Sequence, residues 1–258
     1  MAEVSYCENS TITEAWALLV GVPSKPAPDE VAAVVHAARR RILKLEPRPS
    51  LVLVEEPTTG MLPPHWQHQL TWDDGLHLAR VGHRYLSVHF LKPGDVRYET
   101  YERSLKPHLS EWLQVLSDIL AGGPDQYPLD RVCFGYINSF EFDPDGFDLS
   151  RYFRLSLGIG AETARTGLGA LNVTFRVTPG PNCDVKSSLF VEADPLNGKV
   201  SVRTKVVGEL RGVQFSFLDQ ADIHAAAAEA KRVAKRSFFD LVTDETRTLM
   251  GVKYADLE

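Results

Sequence analysis

The stretch that decides the fold runs from Gln67 to Leu91, QHQLTWDDGLHLARVGHRYLSVHFL. Gln67 to Trp72 and Leu76 to Val81 flank Asp73-Asp74-Gly75, where glycine supplies the positive φ that a tight hairpin turn demands. Gly82-His83 turns the chain again into Tyr85 to Leu91, in which Leu86, Val88 and Phe90 alternate with Tyr85, Ser87, His89 and Leu91. Alternation of this kind marks strands with one face toward a core. Three strands joined by tight turns are antiparallel, which argues against a doubly wound parallel sheet and against a helical bundle.

Working outward, Tyr98 to Leu120 carries Tyr101, Leu105, Leu109, Trp112, Leu113, Leu116 and Leu120 at helical spacing, with Pro107 as a kink or as the true start. On the other side, Thr13 to Val20 reads as a strand. Asp29 caps a helix with a stripe of Val31, Val34, Val35, Ala38, Ile42 and Leu45, stopped by Pro47 and Pro49. Leu51 to Val54 reads as a short strand, and Pro57 to Pro64 as a loop. Gly122-Gly123-Pro124-Asp125 is the clearest seam, dividing the chain into halves 1–122 and 123–258.

Beyond that seam, Leu129 to Phe142 reads as a long strand closed by Asp143-Pro144-Asp145-Gly146, and Asp148 to Tyr152 as a helical turn. Gly158 to Gly169 reads as a loop. Ala170 to Val177, Val185 to Ala193 and Lys199 to Val207 are strands, separated by Pro179-Gly180-Pro181-Asn182 and Asp194-Pro195-Leu196-Asn197-Gly198. A helix from Asp219 to about Leu249 closes the chain, its stripe being Ile223, Ala227, Ala230, Ala234, Phe238 and Leu241. The order βββα therefore occurs twice, in 67–121 and 170–249. The expected fold is α+β: two antiparallel sheet-plus-long-helix halves, arranged as a βββα pseudo-repeat.

With 258 residues, 44% hydrophobic and 24% charged, the chain can bury a core without a disulfide or metal staple. Its net charge of -6 provides no broad positive field for phosphate backbones. Cys7, Cys133 and Cys183 form no CxxC pair, which points to a reducing compartment. Neither a secretory apolar core near Met1 to Ser10 nor a membrane-length apolar run is present, so the expected location is the cytoplasm.

Five of the eight histidines, His65, His68, His77, His83 and His89, fall in 65–89. Their strand placement scatters the rings over different faces, and a metal site is not expected from spacing alone. Gly158-Ile159-Gly160 and Gly167-Leu168-Gly169 precede a strand rather than open a helix, the wrong order for phosphate binding. Asp143, Asp145 and Asp148 resemble a calcium loop, but its twelfth position is Arg154 instead of Glu. Cys133, within a strand, reads as a buried thiol. Lys231, Arg232, Lys235 and Arg236, with Arg39 to Lys44, are the two basic helix segments open to a nucleic-acid partner. No metal, nucleotide or flavin cofactor is expected.

Tyr85-Leu86-Ser87-Val88-His89-Phe90-Leu91-Lys92-Pro93, then Tyr98 and Tyr101-Glu102, then Leu129-Asp130-Arg131-Val132-Cys133-Phe134-Gly135-Tyr136-Ile137-Asn138 resemble a sporadically distributed TIGR-type family of uncharacterised bacterial proteins. Its pattern is an LSVNFL strand before a long helix and an RxGLRYxN strand after it. The ending is similar too, from Leu218-Asp219 through His224 and Phe238-Phe239 to Thr243 and Met250-Gly251. The chain departs at Gly135, where the family tends to have Leu-Arg, and lacks the prolines of the family's opening near Ile12-Thr13-Glu14-Ala15.

The resemblance implies an accessory locus of toxin–antitoxin or phage-defence type. Together with the lack of a catalytic motif, it points to a non-catalytic component that binds another protein through sheet faces or edges, with a homodimer as one arrangement. The alternatives are a nucleic-acid-binding protein, or a hydrolase or nuclease whose site assembles only in the fold. Arg131, Tyr136, Asn138 and His224 are the expected binding residues; no catalytic residue or metal ligand is assigned.

Overall fold

The computed structural model describes residues 4–7, 11–22, 28–42, 46–51, 66–82, 85–92, 98–120, 127–145, 147–155, 170–194 and 198–254. The Gly122 to Asp125 seam, the Pro57 to Pro64 and Gly158 to Gly169 loops, His65 and His83 lie outside them. In chain order the elements are β1 (Val4–Cys7), β2 (Ile12–Gly21), α1 (Pro28–Arg41), β3 (Glu46–Leu51), β4 (Trp66–Thr71), β5 (His77–Gly82) and β6 (Tyr85–Leu91). There follow α2 (Tyr101–Ser104), α3 (Lys106–Leu120), β7 (Leu129–Phe142), α4 (Leu149–Tyr152), β8 (Ala170–Gly180), β9 (Cys183–Asp194) and β10 (Lys199–Arg211). The last are α5 (Gln220–Leu241), α6 (Asp244–Leu249) and β11 (Val252–Tyr254).

The fold is α+β and its main sheet is antiparallel throughout, in the order β3-β4-β5-β6-β2-β7-β10-β9-β8. The two expected sheets are therefore one, because β2 pairs with β6 on one side and β7 on the other. The residues of β2 suit a central strand: Ala15, Ala17 and Leu19 are buried on one face and Trp16 on the other. A two-stranded ribbon, β1 with β11, is additional.

Helices α1, α3 and α5 cover one face. Helix α1 packs on α3 and touches β5, α3 touches α5, and α5 lies across β7, β10 and β9. Val31, Val34, Val35 and Ala38 of α1, Leu109, Trp112 and Leu113 of α3, and Ile223, Ala227, Ala230 and Ala234 of α5 meet Phe134, Tyr136, Val202 and Val206 in one core. Helix α5 comes closest at Gly208 of β10, where a Cβ would stand nearer than 3.0 Å to the Ala230 carbonyl oxygen.

Three boundaries differ from expectation for local reasons. Pro107 stands in the first turn of α3, marking its start, while α2 is a separate turn capped by Thr100, which accepts from Arg103 N. The closing helix breaks at Val242, whose extended backbone bridges to Phe153, and Thr243 then caps α6 by accepting from Thr246 N. Strand β3 occupies 46–51, sharing only Leu51 with the expected Leu51 to Val54 strand, whose residues 52–54 lie outside the described ones. Pro47 and Pro49, read as helix stops, are tolerated there because β3 is an edge strand.

Candidate functional site

The four residues singled out by sequence do not converge. Tyr136 and Asn138 are buried on the helix-covered side of β7, where Tyr136 packs edge-on to Tyr98 and Phe134. Asn138 Oδ1 accepts from Thr11 Oγ1 at 3.0 Å. Arg131 is on the opposite face of the strand, its Nε donating to Asp130 at 3.0 Å, with Glu209 at 3.8 Å. His224 on α5 clamps two helices. Ser110 Oγ donates to the Lys106 carbonyl, so it accepts from His224 Nε2 at 2.9 Å, and Tyr101 donates to Nδ1 at 2.8 Å. Arg131, Asn138 and His224 each have hydrogen-bond partners of their own, and Tyr136 is packed among aromatic rings.

On the face that the helices leave uncovered, Ser87 Oγ donates to His89 Nε2 at 2.8 Å and His89 Nδ1 donates to Glu14 Oε1 at 2.7 Å. Trp16 stacks on the His89 ring, and Lys205 lies over Trp16. Burial pushes the His89 imidazole below its usual range. Burial alone would raise the Glu14 carboxyl, but the His89 hydrogen bond and the His89, Arg80 and Lys205 charges hold it lower. The chain of bonds has the order of a nucleophile, base and orienting acid. Ser87, however, is 0% exposed, so it presents no nucleophile to a substrate. The arrangement satisfies polar groups within the sheet.

A second cluster joins the β4–β5 turn to α3. Gly75 takes φ +65, and Asp74 Oδ1 accepts from Leu76 N at 2.8 Å and His77 N at 3.1 Å. Asp74 Oδ2 lies 2.6 Å from His77 Nδ1, and His77 Nε2 lies 2.7 Å from the Ser104 carbonyl oxygen. The His108 ring is 3.8 Å from that of His77, between it and Trp72, and its Nδ1 is buried without a hydrogen-bond partner among the described residues. Burial and the neighbouring His77 push His108 down to about 4, against the pull of Asp74. His77 stands out in the histidine-rich stretch of the sequence, whereas His108 and Asp74 do not stand out there as its partners. Asp74 stood in the turn motif, while His108 is brought in only by the packing of α3.

A groove of about 700 Å³ lies between α5 and the β8–β9 hairpin. Phe175, Val177, Val185, Val233, Leu155 and Leu241 supply its apolar lining; Arg154, Arg232, Arg236, Glu229 and Asp240 supply its charge. Val177 is 49% exposed. Arg232 donates twice to Glu229, whereas Arg154 and Arg236 are exposed and have no carboxylate partner among the described residues. Strand β8 borders this groove and is the last strand of the sheet, so among the described residues no strand lies beside its outer line of backbone N–H and C=O groups, Pro179 contributing no N–H. At the other end, β3 carries Pro47 and Pro49, which lack N–H donors on the same side of the strand.

The two basic segments are partly neutralised: Arg41 pairs with Asp118, Lys231 with Glu102 and Arg232 with Glu229. Among the described residues no helix is long and apolar enough to cross a membrane. No family model, curated protein or solved structure matches the chain.

Proposed function

We propose that this chain is a non-catalytic protein-binding component that receives an extended, acidic segment of a partner protein along β8. The unequal ends of the sheet support this reading: β3 is interrupted by two prolines, while β8 has its one proline, Pro179, at the hairpin end, keeps its backbone donors over residues 170–178 and borders an apolar groove. A strand added beside β8 gains main-chain hydrogen bonds, and every second side chain points toward Phe175 and Val177. Arg154 and Arg236 favour carboxylates on that segment. A second copy pairing through β8 about a two-fold axis would bring these arginines toward their own counterparts, which disfavours a homodimer.

We read the two halves as a pseudo-repeat, supported by strand order. Strand β6 returns beside β2 and β10 beside β7, each closing a meander, and β2 with β7 joins the halves. Such a repeat leaves one outer edge per half, and among the described residues the C-terminal edge carries fewer prolines than the N-terminal one. The family resemblance belongs to this proposal, and the accessory locus it implies would supply the partner from a neighbouring gene. The nucleic-acid reading is weaker because Arg41, Lys231 and Arg232 of the basic segments are engaged by carboxylates and the chain as a whole is acidic. The hydrolase reading is weaker because Ser87 is inaccessible.

Fluorescence anisotropy with a labelled peptide alternating glutamate with valine tests the proposal, its lysine–valine counterpart serving as control. The expected result is saturable binding of the acidic peptide alone, abolished by Val177→Glu and weakened about tenfold or more by Arg236→Glu. Equal binding of both peptides, no binding, or binding unaffected by Val177→Glu would overturn it. A dimer in sedimentation that Val177→Glu dissolves would replace the partner with a second copy.

A further inference from the structure

We propose that Asp74, His77 and His108 form a binding site for one divalent transition-metal ion of the zinc class. Each offers a ligand atom, and these atoms lie within 4.8 Å of one another. Donors at about 2.0–2.2 Å from a tetrahedral ion stand about 3.4 Å apart, so side-chain adjustments on the order of 1 Å close the set.

The surroundings of the three groups resemble the support given to metal ligands. A ligating histidine ordinarily donates its other ring N–H to a carbonyl or carboxylate, which fixes the tautomer and the ring. His77 is 7% exposed, and its Nε2 is held in this way by the Ser104 carbonyl at 2.7 Å, leaving Nδ1 directed at Asp74. Asp74 is oriented likewise: Oδ1 accepts two backbone N–H groups, leaving Oδ2 on the side of His77. The third group explains an otherwise costly feature. A buried ring nitrogen without a partner is unfavourable, and His108 Nδ1 is one. A cation among the three accepts a lone pair from the His108 ring, which the described residues leave short of a partner.

Two imidazoles and one carboxylate suit zinc and its neighbours better than magnesium or calcium, which prefer all-oxygen sets. When the ion binds, His77 Nδ1 gives up to solvent the proton otherwise held toward Asp74. Three protein ligands leave a fourth position for water or an external donor, and the side chain of Asp74, 35% exposed, lies at the entrance.

The test is equilibrium dialysis of the full chain against zinc chloride after chelator treatment, followed by metal analysis, with cobalt absorption reporting geometry. One equivalent of zinc and a tetrahedral cobalt spectrum are expected. Affinity should fall about a hundredfold in His108→Phe, which keeps a ring against Trp72, and in Asp74→Asn, which keeps an acceptor for the turn. Circular dichroism verifies folding, and His36→Ala, an exposed helix residue, should bind as the parent does. Failure of the parent chain to retain zinc would overturn the site, as would unchanged affinity in folded His108→Phe and Asp74→Asn. This test is independent of the anisotropy measurement on β8.

Discussion

Replacing Gly208 by Ala probes a close helix-to-sheet approach in the core. The added methyl would sit nearer than 3.0 Å to the Ala230 carbonyl oxygen, 3.1 Å from Ala230 C and 3.2 Å from Ala234 N. All three atoms are helix backbone, so no rotamer change relieves the crowding. Helix α5 must retreat by something on the order of 1 Å, which loosens the seam formed by Ala227, Ala230 and Ala234 against the sheet. Overpacking of this kind costs about 1–3 kcal/mol. Alanine also restricts the unfolded chain, which offsets about 0.4–1 kcal/mol of that cost. The expected net loss is about 1–2 kcal/mol, read from urea unfolding followed by circular dichroism. Gly180→Ala is the control, because nothing lies within 4 Å of its added methyl and its φ is not positive. A Gly208→Ala protein within about 0.5 kcal/mol of the parent would refute the close packing of α5 on β10.

Gly135 is the floor for Trp16, whose indole carbons would come nearer than 3.0 Å to an added Cβ. Gly135→Ala should therefore expel the indole, shift its fluorescence to the red and lower stability by about 1–3 kcal/mol; unchanged emission would count against this. The Glu14–His89 pair makes stability fall with acid. The unfolded chain takes up a proton at the ordinary histidine value of 6.5 before the buried His89 does. The carboxylate of Glu14 then loses its advantage as pH drops below its ordinary 4.5 and through its lower native value. The urea midpoint should decline from about pH 7 to about pH 5, and less so in His89→Asn; equal slopes would contradict it. Burial, with Glu229 and Asp184 nearby, holds the Cys183 thiol above its ordinary 9.0. Mass-mapped alkylation at neutral pH should be slow there and slower with the glutamate–valine peptide bound; rapid labelling that the peptide leaves unchanged would contradict both points.

Local chemistry made much of this fold legible. The Asp73-Asp74-Gly75 turn, the meander around it and the bounds of β7 follow from alternation and turn residues within short windows. Strand order was less accessible. That β2 joins β6 to β7 depends on pairing across more than a hundred residues, and its apolar run gives only a buried strand. The prolines of β3 misled because a helix stop and an edge strand share the same residues. Candidate sites were hardest. The groove draws Leu155, Phe175, Val185 and Arg236 from separated elements, and His108 reaches Asp74 only because α3 packs over the β4–β5 turn. Arg131, Tyr136, Asn138 and His224 are notable in sequence as polar groups near apolar runs, and the fold gives Arg131, Asn138 and His224 separate hydrogen-bond partners and packs Tyr136 among aromatic rings.

Hydrogen–deuterium exchange across the whole chain, with and without the glutamate–valine peptide, bears most directly on the docking of a partner at β8. Amides of Ala170–Gly180 are expected to slow by about tenfold or more in the complex, with β3 unaffected and the lysine–valine peptide producing no change. Peptide binding that leaves β8 exchange unaltered, or that protects β3 instead, would contradict the account.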